Sequence, residues 1–175
     1  MNLKKSFIIV LMLIVNSALL SQENKNSNCS APEAKQFNFW VGRWKAEWQN
    51  KDGSKSNGSN NIKKILGGCV VEENFNGNPG TTLIGRSVSV YNANRKLWQQ
   101  TWVDNQAGYL DFTGNFNDGK MILSREAITK DDKSIQQRMV YYNIEKNKFD
   151  WDWEISKDNG KTWELKWRIH YSRIE

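Results

Sequence analysis

The sequence predicts an all-β protein, an antiparallel barrel of about ten strands entered through a short N-terminal helix. Three observations predict it. Turn signals recur roughly every ten to fifteen residues after position 42, and the best segments between them alternate polar and apolar with a period of two. No stretch in that region is long and periodic enough to make a good helix. Large aromatic residues also crowd both ends of the region, with Trp40, Trp44 and Trp48 at its start and Trp151, Trp153, Trp163 and Trp167 near its finish. A first strand that meets the last would close the sheet and remove its exposed edges.

The chain begins with a basic start, Lys4 and Lys5, and an apolar run from Phe7 to Leu20 broken only by Asn16 and Ser17. The run is short for a membrane span and passes directly into a polar stretch, so residues 1–22 read as a secretory signal peptide. Cys29 follows too late to serve as a lipid anchor. The mature chain is therefore expected to be exported, periplasmic or extracellular, and not an integral membrane protein. Residues 23–29 read as a flexible segment and residues 30–175 as one barrel domain.

The whole chain carries a formal charge of +6; without Lys4 and Lys5, 23 bases face 19 acids, leaving +4. The bases form no run that could track phosphates, which argues against nucleic acid as a partner. In an oxidising compartment the even cysteine count predicts a disulfide between Cys29 and Cys69. The alternative is two free thiols, buried at 69 and exposed at 29.

Ser30-Ala-Pro-Glu33 has the form of a capping box, opening a short helix over about 31–40. Gly42 ends the helical pattern. From Arg43 onward, Trp44, Ala46 and Trp48 take one face and Arg43, Lys45 and Glu47 the other, which is strand behaviour. Strands are then expected over 43–50, 56–66, 69–75, 83–91, 97–103, 109–116, 121–129, 134–144, 149–156 and 162–173.

Alternation assigns faces. Phe149, Trp151, Trp153 and Ile155 should point inward, opposite Asp150, Asp152 and Glu154. On the last strand Trp163, Leu165, Trp167, Ile169, Tyr171 and Arg173 share the inward face. Carrying the parity back through the turn 145–148 places Tyr142, Val140 and Arg138 inside. Phe112, Gly114 and Phe116 share that side with Met121, Leu123 and Arg125. Inward arginines must pair with acids or line a wet cavity.

Gly42-Arg43-Trp44 resembles the Gly-x-Trp signature of the lipocalins and the wider calycin superfamily. The mature chain more specifically resembles a bacterial exported family of unknown function with a lipocalin-like barrel. The matching pieces are Cys29-Ser-Ala-Pro-Glu33, Gln36-Phe-Asn-Phe-Trp-Val-Gly-Arg-Trp44, Leu66-Gly-Gly-Cys69, Trp98-Gln-Gln-Thr-Trp-Val-Asp104 and Tyr171-Ser-Arg173. The resemblance implies that Trp44 packs near the barrel floor under an arginine from the last strand, for which Arg173 is the match. It leaves any ligand open.

Candidate chemistry is sparse. The single histidine, His170, falls on the outward face, which argues against haem ligation; zinc lacks the usual ligand set, and no nucleophile-elbow sequence supports a serine triad. No cofactor and no metal are expected. The acidic row Asp150, Asp152 and Glu154 can pair with Lys166 and Arg168 across a hairpin. Ser156-Lys-Asp-Asn-Gly-Lys-Thr-Trp163 matches an Asp-box, read as a local turn in which Asp158 accepts N–H bonds, Gly160 takes positive φ and Trp163 packs beneath.

The remaining candidates are barrel-lining: Arg86, Trp98, Gln100, Trp102, Arg125, Arg138, Trp151, Trp153 and Tyr171. Trp98 and Trp102 flanking Gln100 either fill the barrel or hold an amphipathic ligand or a sugar. The expected function is binding of a small hydrophobic or amphipathic molecule inside the barrel. An isomerase or hydrolase on the same barrel would need a titratable base inside; Asp111 and Glu126 are the candidates, and alternation puts both outside. A packed interaction protein with no cavity is the third possibility.

Overall fold

The computed structural model describes residues 29–174; the expected signal peptide and most of the flexible segment lie outside them. Ten antiparallel strands form a closed barrel. They are β1 (Gly42–Gln49), β2 (Lys55–Ile65), β3 (Val70–Asn76), β4 (Ile84–Asn92), β5 (Leu97–Asp104), β6 (Tyr109–Asn117), β7 (Lys120–Ile128), β8 (Ser134–Tyr142), β9 (Lys148–Ser156) and β10 (Glu164–Arg173). Each strand pairs with its neighbours in sequence, and β1 closes on β10 with Trp44 opposite Arg173 and Ala46 opposite Tyr171. Every predicted strand is present. Closure leaves no free edge to pair with another chain.

A 3-10 helix, Pro32–Phe39, precedes β1. Its N-cap is Ala31, with no side-chain cap bond, and not Ser30 as the capping-box pattern suggested. Pro32 at the first helical turn already supplies a helical φ without needing a donor satisfied. Phe37 and Trp40 insert into one end of the barrel, where both are buried. The Trp44 indole donates to the Trp40 carbonyl at 2.7 Å, and the Trp98 indole donates to Gln36 Oε1 at 3.0 Å, so the helix is bonded to the end it plugs. The Cys29–Cys69 disulfide forms and ties the start of the helix to the β2–β3 connection.

Arg173 completes this floor. Its guanidinium carbon stands 4.1 Å from the Trp44 ring centroid, while Nη1 and Nη2 donate to the carbonyls of Val41 and Phe39 at 3.0 and 3.2 Å. One cation thus holds the helix exit to the last strand and covers the buried indole.

Three face assignments differ from expectation. Tyr142, Val140 and Arg138 point outward, because Asn143 takes a left-handed φ of 51° after β8 and shifts the parity by one; Tyr141 pairs with Trp151 and shares its inner face. Trp163 and Leu165 leave the inner face of β10 because the register shifts between Leu165 and Trp167. Arg86 is exposed on the outside of β4. That strand buries Gly85, Ser87 and Ser89 and leaves Val88 and Val90 outside, so apolarity does not mark its inner face.

The outer face of β8 to β10 is a paired surface. Arg168 grips Asp152 through two bonds of 2.7 and 2.6 Å, Arg138 pairs with Glu154 at 2.6 Å, and His170 with Asp150 at 2.6 Å; Lys166 pairs with Glu164 on its own strand. The Asp158 turn forms as its sequence implies. Thr162 donates to Asp158 through both its backbone N–H and its hydroxyl, Gly160 has φ 82°, and the Trp163 indole donates to the Gly160 carbonyl. These bonds, from Thr162 first, hold the Asp158 carboxyl down to about 2.

Candidate functional site

Above the plugged floor the barrel holds a partly open cavity of about 280 Å³. Its wall follows from strand alternation. The inner face of β9 presents Trp151 and Trp153, that of β10 Trp167, Ile169 and Tyr171, and that of β5 Trp102. Leu83 and Gln106, from the β3–β4 and β5–β6 loops, stand at the end away from the helix. The rings brace one another edge to face: Trp151 against Trp167 at 5.9 Å, Phe112 against Trp153 at 5.8 Å and Phe75 against Trp167 at 6.0 Å. Rings locked in this way give a preformed apolar pocket.

One carboxyl faces this interior. On β3, Val71, Glu73 and Phe75 share the inner face, and Glu73 is only 8% exposed. Asn60 on β2 donates to Glu73 Oε1 at 2.7 Å, and Ser87 on β4 donates to Oε2 at 2.6 Å. Burial raises the Glu73 carboxyl from 4.5 to about 6, against the opposing pull of these two bonds. The Asn60 amide also reaches the Tyr171 hydroxyl at 3.4 Å. Burial, and then the nearby Glu73, hold the Tyr171 and Tyr141 phenols well above their ordinary range, so both stay neutral and can donate.

A second acid, Asp104, sits at the loop end. It accepts the Trp102 indole N–H at 2.9 Å and the backbone N–H groups of Gln106 and Gly108, each at 2.9 Å. Burial pushes its pKa up, but these three bonds outweigh burial and hold it below the usual carboxylate range. Asp104 therefore stays ionised and fixes the Trp102 ring in the wall.

Of the residues expected to line the barrel, Trp102, Trp151, Trp153 and Tyr171 meet at the cavity. Trp98 and Gln100 point inward but lie outside its wall: Trp98 packs on Phe37 in the floor, and Gln100 donates to Ser89 Oγ at 2.8 Å. Arg125 is inward and half-buried, held by Gln137 at 2.7 Å with its guanidinium 5.9 Å from the Phe112 ring centroid. Arg86 and Arg138 are on the outer surface and take no part; Arg138 stacks over Trp163 at 3.8 Å.

Sequence reasoning missed Glu73. Its signal was present in Val71-Glu-Glu-Asn-Phe75, where a lone carboxylate shares the face of two large apolar residues. Asp111 and Glu126 are exposed, as alternation predicted.

Among the described residues, no helix is long and apolar enough to cross a membrane, and no group of three or more His, Cys, Asp or Glu is placed to hold a metal ion. No curated protein matches the chain. Residues 31–173, which take in the helix and all ten strands, match the family described as Protein of unknown function (DUF1579), and the chain belongs to that family.

Proposed function

We propose that this protein is an exported, lipocalin-like binder of a small hydrophobic or amphipathic molecule, working in the periplasm or outside the cell. The observation that carries this reading is the cavity itself: a braced aromatic wall around one buried, hydrogen-bonded carboxyl. A barrel that only packs would bring these rings together, since apolar surface left open to water forgoes the stabilisation of burial. The cavity weighs against a purely structural or interaction role for the same reason. Its volume, just under the ~300–1,000 Å³ usual for ligand pockets, limits the occupant to a small molecule. The basic and apolar start of the chain and the Cys29–Cys69 disulfide support export into an oxidising compartment. Gly42, Trp44 and Arg173, arranged as the lipocalin resemblance implies, support the calycin-like reading of the barrel.

The test is direct. Denaturing extraction of freshly purified protein, read by mass spectrometry, should release a small molecule in near-stoichiometric amount. Failing a retained ligand, the neutral fluorescent probe N-phenylnaphthylamine should bind and brighten. A protein that yields no ligand, takes up no probe and shows no thermal shift across a small-molecule panel is not a binder of this kind.

Glu73 favours one second reading, an enzyme in which this carboxyl exchanges a proton with the bound molecule. A side chain raised to about 6 in an apolar pocket suits general acid–base work. Turnover of a keto-isomer or ester panel by the wild type, lost in Glu73→Gln with binding retained, carries that reading; absence of turnover removes it.

A further inference from the structure

We propose that the cavity selects an organic amine, with the ammonium group on Glu73 and the apolar body among the tryptophan rings. This deepens the binding reading and rests on it. The charges on the wall come first: the two ionisable carboxyls that line the cavity, Glu73 and Asp104, are both acids, and the wall contains no lysine or arginine. The chain as a whole is basic, so an acidic interior runs against its average composition. A ligand carboxylate beside Glu73 or Asp104 would meet like charge, at a cost that a low-dielectric site magnifies; Arg125, inward beside Phe112, is bonded to Gln137 and does not line the cavity.

The hydrogen-bonding inventory points the same way. Each Glu73 oxygen accepts one bond, from Asn60 or Ser87, and each retains a free lone pair. Asn60, itself only 2% exposed, keeps its Oδ1 buried without a partner beside that carboxylate. Buried unpaired acceptors are costly, and a ligand bearing several N–H donors removes that cost. An ammonium group supplies three.

The rings supply the third argument. Trp102, Trp151, Trp153, Trp167 and Tyr171 present π-faces and edges to one small volume, and aromatic faces attract cations once both are withdrawn from water. Asp104, ionised at the loop end and committed to Trp102 and two backbone amides, does not need to bind the ligand; its charge favours entry of a cation over an anion. The raised Glu73 carboxyl fits this picture, since burial leaves it short of a positive partner.

The experiment uses three probes of one shape, phenylpropylamine, phenylpropanol and phenylpropanoate, titrated calorimetrically into the full mature protein at about pH 7.5, where Glu73 is ionised. The amine is expected to bind about tenfold tighter than the alcohol, and the carboxylate more weakly than either. Glu73→Gln should remove the advantage of the amine while leaving the alcohol within about twofold. A carboxylate that binds as well as the amine, or an amine preference that survives Glu73→Gln, overturns the proposal. If the alcohol binds with no amine preference, the inference falls and the binding reading stands. If none of the three binds and the neutral fluorescent probe also fails, both fall together.

Discussion

Asn60 donates to Glu73 across β2 and β3 at 2.7 Å, although the two are not register partners: Asn60 lies opposite Phe75, and Glu73 opposite Ile62. The bond is diagonal across the inner face, so it fixes the carboxylate over the cavity and keeps it off the strand pair. With Ser87 on the other oxygen, three strands converge on one acid.

That arrangement sets a pH dependence. In the unfolded chain Glu73 releases its proton near 4.5, and in the fold near 6. Between those values the folded state binds more protons than the unfolded one, so this group's contribution to stability falls as pH rises through that window, by about 2 kcal/mol in all. Tyr141 and Tyr171, which face Glu73, stay neutral throughout it. Glu73→Gln can keep both bonds, because the Ser87 hydroxyl accepts as well as donates. The variant should therefore gain about 2 kcal/mol relative to wild type between about pH 4 and pH 7 in urea denaturation. A difference that does not vary with pH would mean Glu73 is not held as described.

Arg173 and Gly42 form one device at the floor. Arg173 donates to three carbonyls, those of Lys146, Val41 and Phe39, and covers Trp44. Arg173→Ala should cost about 2–4 kcal/mol, the sum of lost charge-assisted bonds and a lost cation–π contact. Gly42 has φ 142°, and a Cβ there would run into the Arg173 guanidinium. Gly42→Ala should therefore destabilise by about 1–3 kcal/mol through both strain and collision. In a double-mutant cycle the collision should disappear once Arg173 is alanine, a coupling of about 1 kcal/mol. Additive costs would show that the glycine serves only its own backbone.

How far the fold was legible follows from which signals are local. Turn residues such as Asp52-Gly53 and Asn117-Asp-Gly-Lys120 sit where the strands reverse, and a period of two marks the best strands between them, such as β1. The face of β8 was not legible, because a single left-handed residue, Asn143, inverts it and asparagine does not announce which conformation it will take. β4 misleads for a different reason. Three of its four inner residues are small because Trp102 lies over Gly85 and because Glu73 and Gln100 bond to the hydroxyls of Ser87 and Ser89; only Tyr91 is large. What a side chain must accommodate from another strand is a tertiary fact, invisible to alternation. The candidate site inherited both errors, which is why Arg86 and Arg138 were expected inside and Glu73 was not.

The disulfide should stabilise chiefly through the unfolded chain. It closes a sequence separation of 40 residues, and replacing both Cys29 and Cys69 by serine should cost about 4 kcal/mol in the chain-entropy model. The helix is separately bonded to the floor through Trp44, Trp98 and Arg173, so it should remain docked. The expected signature is a lowered denaturation midpoint with unchanged near-ultraviolet dichroism. Loss of the aromatic dichroism in the native baseline would show that the disulfide holds the helix in place.

Trp102 connects the wall to β4 through an absence. Its ring lies on Gly85 where any larger residue would place a Cβ, and its indole N–H is committed to Asp104 at 2.9 Å. Gly85→Ala must therefore push the ring into the cavity or break its bond to Asp104. Either outcome narrows the pocket or loosens its mouth, so affinity for N-phenylnaphthylamine should fall about tenfold, with a stability loss of about 1–3 kcal/mol from overpacking. In a Trp102→Ala background the ring is gone and the added methyl group meets open space, so Gly85→Ala should then change binding by no more than about twofold. If the alanine weakens binding equally in both backgrounds, Gly85 acts through the β4 backbone, and Trp102 is not the part of the wall that it positions.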